Sequence, residues 1–169
     1  MPTNLELKAK ITSPQKLTRA LRALGKPSAR LAQTDTYFRV RNGRLKLRQI
    51  GKGAGELIYY RRNEKRGRRW SHYSILHISD TRGAKRILTS ALGVDVVVRK
   101  IRQVYIYKKA ARIHIDKVAG LGNFIEFEVV HQGDKNASLL LYKELKKLFE
   151  VDSRNVVRCS YSDLVRGRL

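Results

Sequence analysis

Carboxylates are scarce in this chain: 14 Asp and Glu stand against 37 Lys and Arg, a formal net charge of +23. So one-sided a balance attracts polyanions of any kind, among them nucleic acid, nucleotides, polyphosphate and anionic membrane, without choosing among them. Cysteine is nearly absent, Cys159 being the only one. That rules out a disulfide framework and a cysteine zinc cluster, and it fits a reducing compartment. Long apolar runs are missing too. Glu6, Lys8 and Lys10 break the first segment, and no later segment reaches membrane-spanning length, so a soluble, cytoplasmic protein with no membrane partner is expected. No glycine-rich loop ends in Lys-Ser or Lys-Thr, which excludes a P-loop as the source of phosphate binding. Without a low-complexity segment, an internal repeat or a Pro/Gly-rich linker, residues 1–169 read as one domain large enough to bury a core.

What the chain does have is alternation. Residues 4–11 alternate Asn4, Glu6, Lys8 and Lys10 with Leu5, Leu7, Ala9 and Ile11, a strand with one polar face. Ser13 and Pro14 open a helix with an apolar stripe through Leu17, Ala20, Leu21 and Leu24, and Gly25 stops it. A strand from Leu31 to Val40, a hairpin signal at Asn42-Gly43 and a return strand from Arg44 to Ile50 follow. After a flexible turn over Gly51–Gly55, Glu56–Arg62 is a strand with Tyr59 and Arg61 on one face and Tyr60 and Arg62 on the other. Asn63–Arg69 reads as a charged loop and Trp70–Ser79 as a strand. Asp80 caps a second helix that Gly93 closes, Asp95–Tyr107 is a long strand, Asp134 or Asn136 starts a third helix, and a short helix near Ser162 ends the chain.

The stretch Arg112–Val130, RIHIDKVAGLGNFIEFEVV, gives two more strands joined at Gly120–Gly122. Period two puts Glu126 and Glu128 on one face, and pairing across the glycines sets that face beside Arg112, His114 and Asp116. The sum is an α+β fold, an eight-stranded antiparallel β-barrel with flanking helices. Taken singly, any polar pair such as Lys46 and Arg48 is an ordinary solvated sheet face. Here Glu6 and Lys8, Lys46 and Arg48, Arg61, Lys100 and Arg102, Arg112 and Asp116, and Glu126 and Glu128 repeat that pattern on successive strands. If helices cover the apolar side, these groups line a lumen suited to a highly charged anion with a divalent metal: phosphate oxygens take Lys and Arg, and carboxylates take Mg²⁺ or Mn²⁺. His114 on that face could contact phosphate or hydrogen-bond to a neighbour, Tyr59 and Tyr105 could stack on a base or pack, and Cys159 reads as a packing residue.

The segments NLELK, QTDTYFRV with GRLKLR, ELIYYRR, VVRKIRQVY, RIHIDKVAGLGNFIEFEVV and SYSDL, in this order from about residue 4 to 165, together resemble the CYTH superfamily, which includes class IV adenylate cyclases, thiamine triphosphatases and inorganic triphosphatases. The resemblance implies a tunnel that takes a triphosphate lengthwise, with Mg²⁺ or Mn²⁺ held by glutamates. By position it implies that Lys8, Lys46, Arg48, Arg61, Lys100, Arg102 and Arg112 contact phosphates. Glu6, Asp116, Glu126 and Glu128 would serve the metal, and Glu6, Lys8, Glu126 and Glu128 would carry catalysis. Asn4 stands where the family signature has its first glutamate, so a neutral carbonyl oxygen replaces one carboxylate. Ser160 and Tyr161, in the closing SYSDL, read as closing the tunnel mouth. The implied activity is hydrolysis of tripolyphosphate or of an organic triphosphate such as thiamine triphosphate or ATP. The alternatives are cyclisation of ATP to cyclic AMP, and a catalytically weak polyanion- or RNA-binding module. Nonspecific nucleic-acid affinity is expected under each.

Overall fold

Each alternating segment becomes a strand that buries one face on each side of a curved wall. A computed structural model describes residues 3–51, 54–62, 69–130 and 133–167. Most of the charged loop, residues 63–68, and part of the turn, residues 52–53, lie outside the described residues. The strands are β1 (Thr3–Lys10), β2 (Ala29–Phe38), β3 (Arg44–Ile50), β4 (Gly55–Arg62), β5 (Arg69–Ile78), β6 (Val94–Tyr107), β7 (Ala111–Val118) and β8 (Gly122–Val130). They pair antiparallel in the order β1-β5-β4-β3-β2-β6-β7-β8 and close into a barrel. The expected α+β barrel is therefore the observed one.

Closure is a consequence of three pairings between strands far apart in sequence, the first being β1 with β5, from Thr3 opposite His72 to Glu6 opposite Arg69. β2 pairs with β6 along its whole length, from Ala29 opposite Val104 to Phe38 opposite Val94. β1 pairs with β8 from Asn4 opposite Val130 to Lys10 opposite Phe124, which sets Glu6 opposite Glu128 and Lys8 opposite Glu126.

The helices begin where a side chain satisfies free amides. Ser13 caps α1 (Pro14–Leu24), Asp80 caps α2 (Thr81–Leu92), and Asp134 caps α3 (Lys135–Leu148) through the amides of Asn136 and Ala137. α1 and α3 cover the outside of the β1–β8–β7 wall. There Leu5, Leu7, Ile113, Phe127 and Val129 are buried against Ala20, Leu145 and Phe149, with the Phe127 and Phe149 rings 5.3 Å apart. A second apolar cluster lies inside the barrel at one end, where α4 (Tyr161–Arg166) docks among Tyr37, Val96, Val98, Val118 and Phe124. Helices on the outside thus leave the polar strand faces to look inward.

Asn42-Gly43 does not form a two-residue turn. Pairing of β2 with β3 stops at Phe38 opposite Leu45, so residues 39–43 make a longer connection. Gly43 is still required there: its φ is +69°, and a Cβ would fall 2.8 Å from the Tyr59 hydroxyl.

Candidate functional site

The inward residues form three layers along the barrel axis. At one end α4 is a plug. Ser160 and Asp163 form a reciprocal cap at its start, and Arg44 at the start of β3 binds Ser160 and, at 2.9 Å, Asp163. Tyr161 meets Phe124 edge-on at 5.1 Å, and its ring lies 4.0 Å from the Lys8 ammonium. The plug residue therefore floors the layer above it.

That middle layer is ionic and contains one arrangement twice. On β3, Lys46 and Arg48 are held by Asp35 of β2: Lys46 Nζ donates at 2.8 Å, and Arg48 donates through Nε and Nη2 at 2.9 and 3.0 Å. On β6, Lys100 and Arg102 are held by Asp116 of β7: Lys100 Nζ donates at 3.1 Å, and Arg102 through Nε and Nη2 at 2.7 and 2.6 Å. In both clamps the Arg and the Asp are directly opposite in the strand register. A buried aspartate grips one edge of each guanidinium fork, which fixes where the rest of the fork and the ammonium point.

On the remaining wall, Arg102 Nη2 also donates to Glu126, and Lys8 Nζ lies 3.4 Å from that carboxylate. His114 Nδ1 is 3.9 Å from Glu126 and 3.6 Å from Glu128, and Arg112 Nε is 3.2 Å from Glu128. These groups surround a cavity of about 460 Å³ that Asn4, Glu6, Gln33, Tyr60 and Tyr161 also line. The third layer is the open mouth, where Ala29, Leu31, Ile50, Ile75 and Val104 reach the same cavity.

Residues 2–161 match the CYTH domain. The chain belongs to the CYTH family. Solved structures share the fold at low identity. The PH1012 protein of Pyrococcus horikoshii OT3 is 21% identical with a TM-score of 0.83, over 95% of this chain and 98% of that one. A candidate adenylate cyclase from Vibrio parahaemolyticus is 20% identical with a TM-score of 0.74, over 96% and 97%. A candidate adenylyl cyclase from Hippeastrum, HpAC1, described as having a dominant triphosphatase activity, is 15% identical with a TM-score of 0.70, over 99% and 96%. No curated protein sequence matches the chain.

Most of the expected residues do meet in the CYTH lumen: Glu6, Lys8, Lys46, Arg48, Lys100, Arg102, Arg112, Glu126 and Glu128 all line the cavity. Two do not. Arg61 is exposed on the outer wall and donates to the Tyr59 hydroxyl at 2.9 Å. The register of β3 on β4, Lys46 opposite Ile58 and Arg48 opposite Glu56, turns the even-numbered residues of β4 inward and Arg61 outward. Asp116 is fully buried below the cavity floor, both its oxygens taken by Lys100, Arg102 and the Tyr161 hydroxyl, the last at 3.0 Å. It is placed as a counter-ion, with no oxygen left over for a metal.

The sequence reading missed Asp35, although Gln33, Asp35 and Tyr37 alternate opposite Lys46 and Arg48 and so carried a signal. It also missed Tyr60, Glu56 and Arg44. Tyr60 and Glu56 belong to β4, whose two faces are equally mixed.

Burial sets the charge states. Burial by itself would raise Asp35 and Glu126, but their cations hold both well below the usual carboxylate range: Lys46 and Arg48 for Asp35, Arg102 and Lys8 for Glu126. Glu128 is lowered in the same way against its burial, by His114, Arg102 and Arg112. Lys46 goes the other way. Burial and the neighbouring Arg48 charge pull it down to about 7, because Asp35 is already bound twice by Arg48 and offsets this only in part. Burial and Arg102 also lower Lys100.

The oxygen donors suit a hard divalent cation of the kind the CYTH family generally uses. Glu6, Glu126 and Glu128 share the β1–β8 wall, and the buried Asn4 Oδ1 has no hydrogen-bond partner among the described residues. No three His, Cys, Asp or Glu among those residues are gathered closely enough to hold an ion alone. That pattern fits a cation bound by one or two carboxylates together with substrate phosphates and water.

Proposed function

We propose that the lumen binds a triphosphate group lengthwise and hydrolyses a phosphoanhydride bond with Mg²⁺ or Mn²⁺. The observation that carries this reading is the duplicated clamp: two Lys-x-Arg pairs on β3 and β6, each fixed by a buried aspartate, face one cavity whose other wall holds the carboxylates. Lys46, Arg48, Lys100, Arg102 and Arg112 neutralise phosphate oxygens, Arg48 and Arg102 through forks that their aspartates already orient before substrate arrives. Lys8, seated on Tyr161 and hydrogen-bonded to the Cys159 carbonyl at 3.1 Å, reaches the phosphate nearest the plug. Glu126 and Glu128, with Glu6 and the Asn4 carbonyl, would hold the cation. When bound, such a cation would supply charge stabilisation on the phosphates and activation of water. Phosphate release from tripolyphosphate, thiamine triphosphate and ATP, with cyclic AMP measured in the same samples, tests the reading. No release at near-stoichiometric protein overturns it, and cyclic AMP with pyrophosphate from ATP replaces hydrolysis by cyclisation.

A second reading rests on the outer surface. The six lysines and arginines that line the lumen face five lining carboxylates, so nearly all of the chain's positive excess is carried elsewhere. Between β2, β6 and β7 the outer wall has a groove of about 720 Å³ lined by Thr34, Gln49, Arg99, Ile101 and Lys117, with Arg99 and Lys117 exposed. Nonspecific, salt-dependent nucleic-acid binding would arise on this outer surface and survive Glu126→Gln. The half-buried lone Cys159 supports a reducing, cytoplasmic setting. No helix among the described residues is long and apolar enough to cross a membrane.

A further inference from the structure

The plug end of the barrel carries a second cavity, of about 230 Å³, between α4 and the connection from β2 to β3. Arg39, Gly43, Arg44, Asp95 and Arg166 are among the residues that line it, three arginines against one aspartate. The aspartate is already engaged: Arg166 Nε donates to its two oxygens at 3.0 and 3.1 Å, and Arg166 Nη1 reaches Asp163 at 2.8 Å. Arg39 is exposed, and its guanidinium has no hydrogen-bond or ion-pair partner among the described residues. An arginine without a counter-ion, beside two whose carboxylates are shared, makes a seat for a small oxyanion.

A thin polar wall separates this cavity from the lumen. Ser160 lines the lumen, is 3% exposed and accepts from Arg44 Nη1, while Arg44 itself lines the outer cavity. The buried Ser162 hydroxyl lies 2.6 Å from that of Ser160 and 3.4 Å from Arg44 Nη1, and Tyr37 lines both cavities. Hydroxyls and guanidinium groups therefore run from one space to the other. A triphosphate entering by the mouth arrives terminal phosphate first, because α4 closes the other end. Cleavage of the bond nearest the plug leaves orthophosphate in the deepest position, with the diphosphate remainder between it and the mouth. Past Ser160 it meets Arg44, which holds Asp163 at 2.9 Å and can exchange that carboxylate for a phosphate without being left unpaired.

We infer that the outer cavity is a second orthophosphate site, through which phosphate cleaved in the lumen leaves by way of Arg44. This rests on the hydrolase reading of the lumen, and two readouts keep the claims apart. In the first, orthophosphate is titrated by calorimetry into the full chain carrying one equivalent of imidotriphosphate, a triphosphate with uncleavable bridges. One site is expected, weakened about tenfold or more in Arg39→Gln and left within about twofold by Lys117→Gln, while imidotriphosphate affinity stays within about twofold in both. No orthophosphate binding, or equal weakening by the two variants, overturns the site. In the second, orthophosphate and ADP released from ATP are followed together in a single turnover. Orthophosphate should appear first in the wild type, and together with ADP in Arg44→Gln that still binds imidotriphosphate. Phosphate that never precedes ADP in the wild type overturns the exit route. Binding at the outer cavity without turnover of any triphosphate removes the hydrolase reading and the exit role, and leaves the site standing.

Discussion

The two faces of the barrel wall obey opposite rules, and neighbouring residues show it. Asp116 points inward, is fully buried and binds two cations and a tyrosine; Lys117 points outward and is exposed. Inside, every clamp cation is fixed by a carboxylate. Outside, carboxylates such as Asp80 and Asp134 are used up capping helices, while Arg19, Arg30 and Arg99 are exposed. Charge inside the barrel is thus organised for a ligand of fixed shape, and charge outside only sets a field.

The largest contrast expected is in stability. Asp116→Ala leaves Lys100 and Arg102 buried without their partner and should cost about 3–5 kcal/mol in denaturant unfolding, whereas Lys117→Ala should stay within about 0.5 kcal/mol. Comparable losses would break the distinction between the two faces. In catalysis, Arg48→Lys or Arg102→Lys keeps the charge but loses the fork, and kcat/KM for a triphosphate should fall by about 10²-fold or more. Arg61→Gln, on the outer wall, should change it by less than about twofold.

A smaller effect comes from Lys46, at about 7 in the folded protein against 10.5 for an ordinary lysine. Between those values the unfolded chain binds more protons, so this residue makes stability rise as pH climbs from about 7 toward 10.5. An anionic ligand favours the ammonium form. Tripolyphosphate binding near pH 8 should therefore take up as much as about one proton, read by calorimetry in buffers of different ionisation enthalpy. The uptake should fade well below pH 7 and disappear in Lys46→Met. The smallest change in catalysis belongs to the outer surface, in the groove residues Arg99 and Lys117 and the exposed Arg30 of the same wall. Arg30→Gln, Arg99→Gln and Lys117→Gln combined should flatten the salt dependence of RNA binding by roughly 2–3 in log–log slope while leaving triphosphate hydrolysis nearly untouched.

The barrel was legible because alternation survives in nearly every strand, and the caps at Ser13, Asp80 and Asp134 follow from local hydrogen bonding. β4 was misread because Tyr59 and Arg61 match Tyr60 and Arg62 in character, so alternation cannot say which pair faces in; only its register on β3 decides. Asp116 shares a face with Arg112 and His114, as expected, but its depth below the cavity comes from the docking of α4, whose Tyr161 lies 45 residues further along the chain. Asp35 went unnoticed because its importance lies in the strand opposite. The open mouth needs the pairings of β2 with β6 and of β4 with β5 before Leu31, Val104 and Ile75 can be seen to line one cavity.

Phosphate release from ATP, thiamine triphosphate and tripolyphosphate with Mg²⁺ or Mn²⁺, by the wild type and by Glu126→Gln/Glu128→Gln, tests the central claim most directly. Turnover of at least one compound by the wild type, reduced by about 10²-fold or more in the double variant, is the predicted result. Equal release by both proteins, or none by either, would contradict a catalytic lumen.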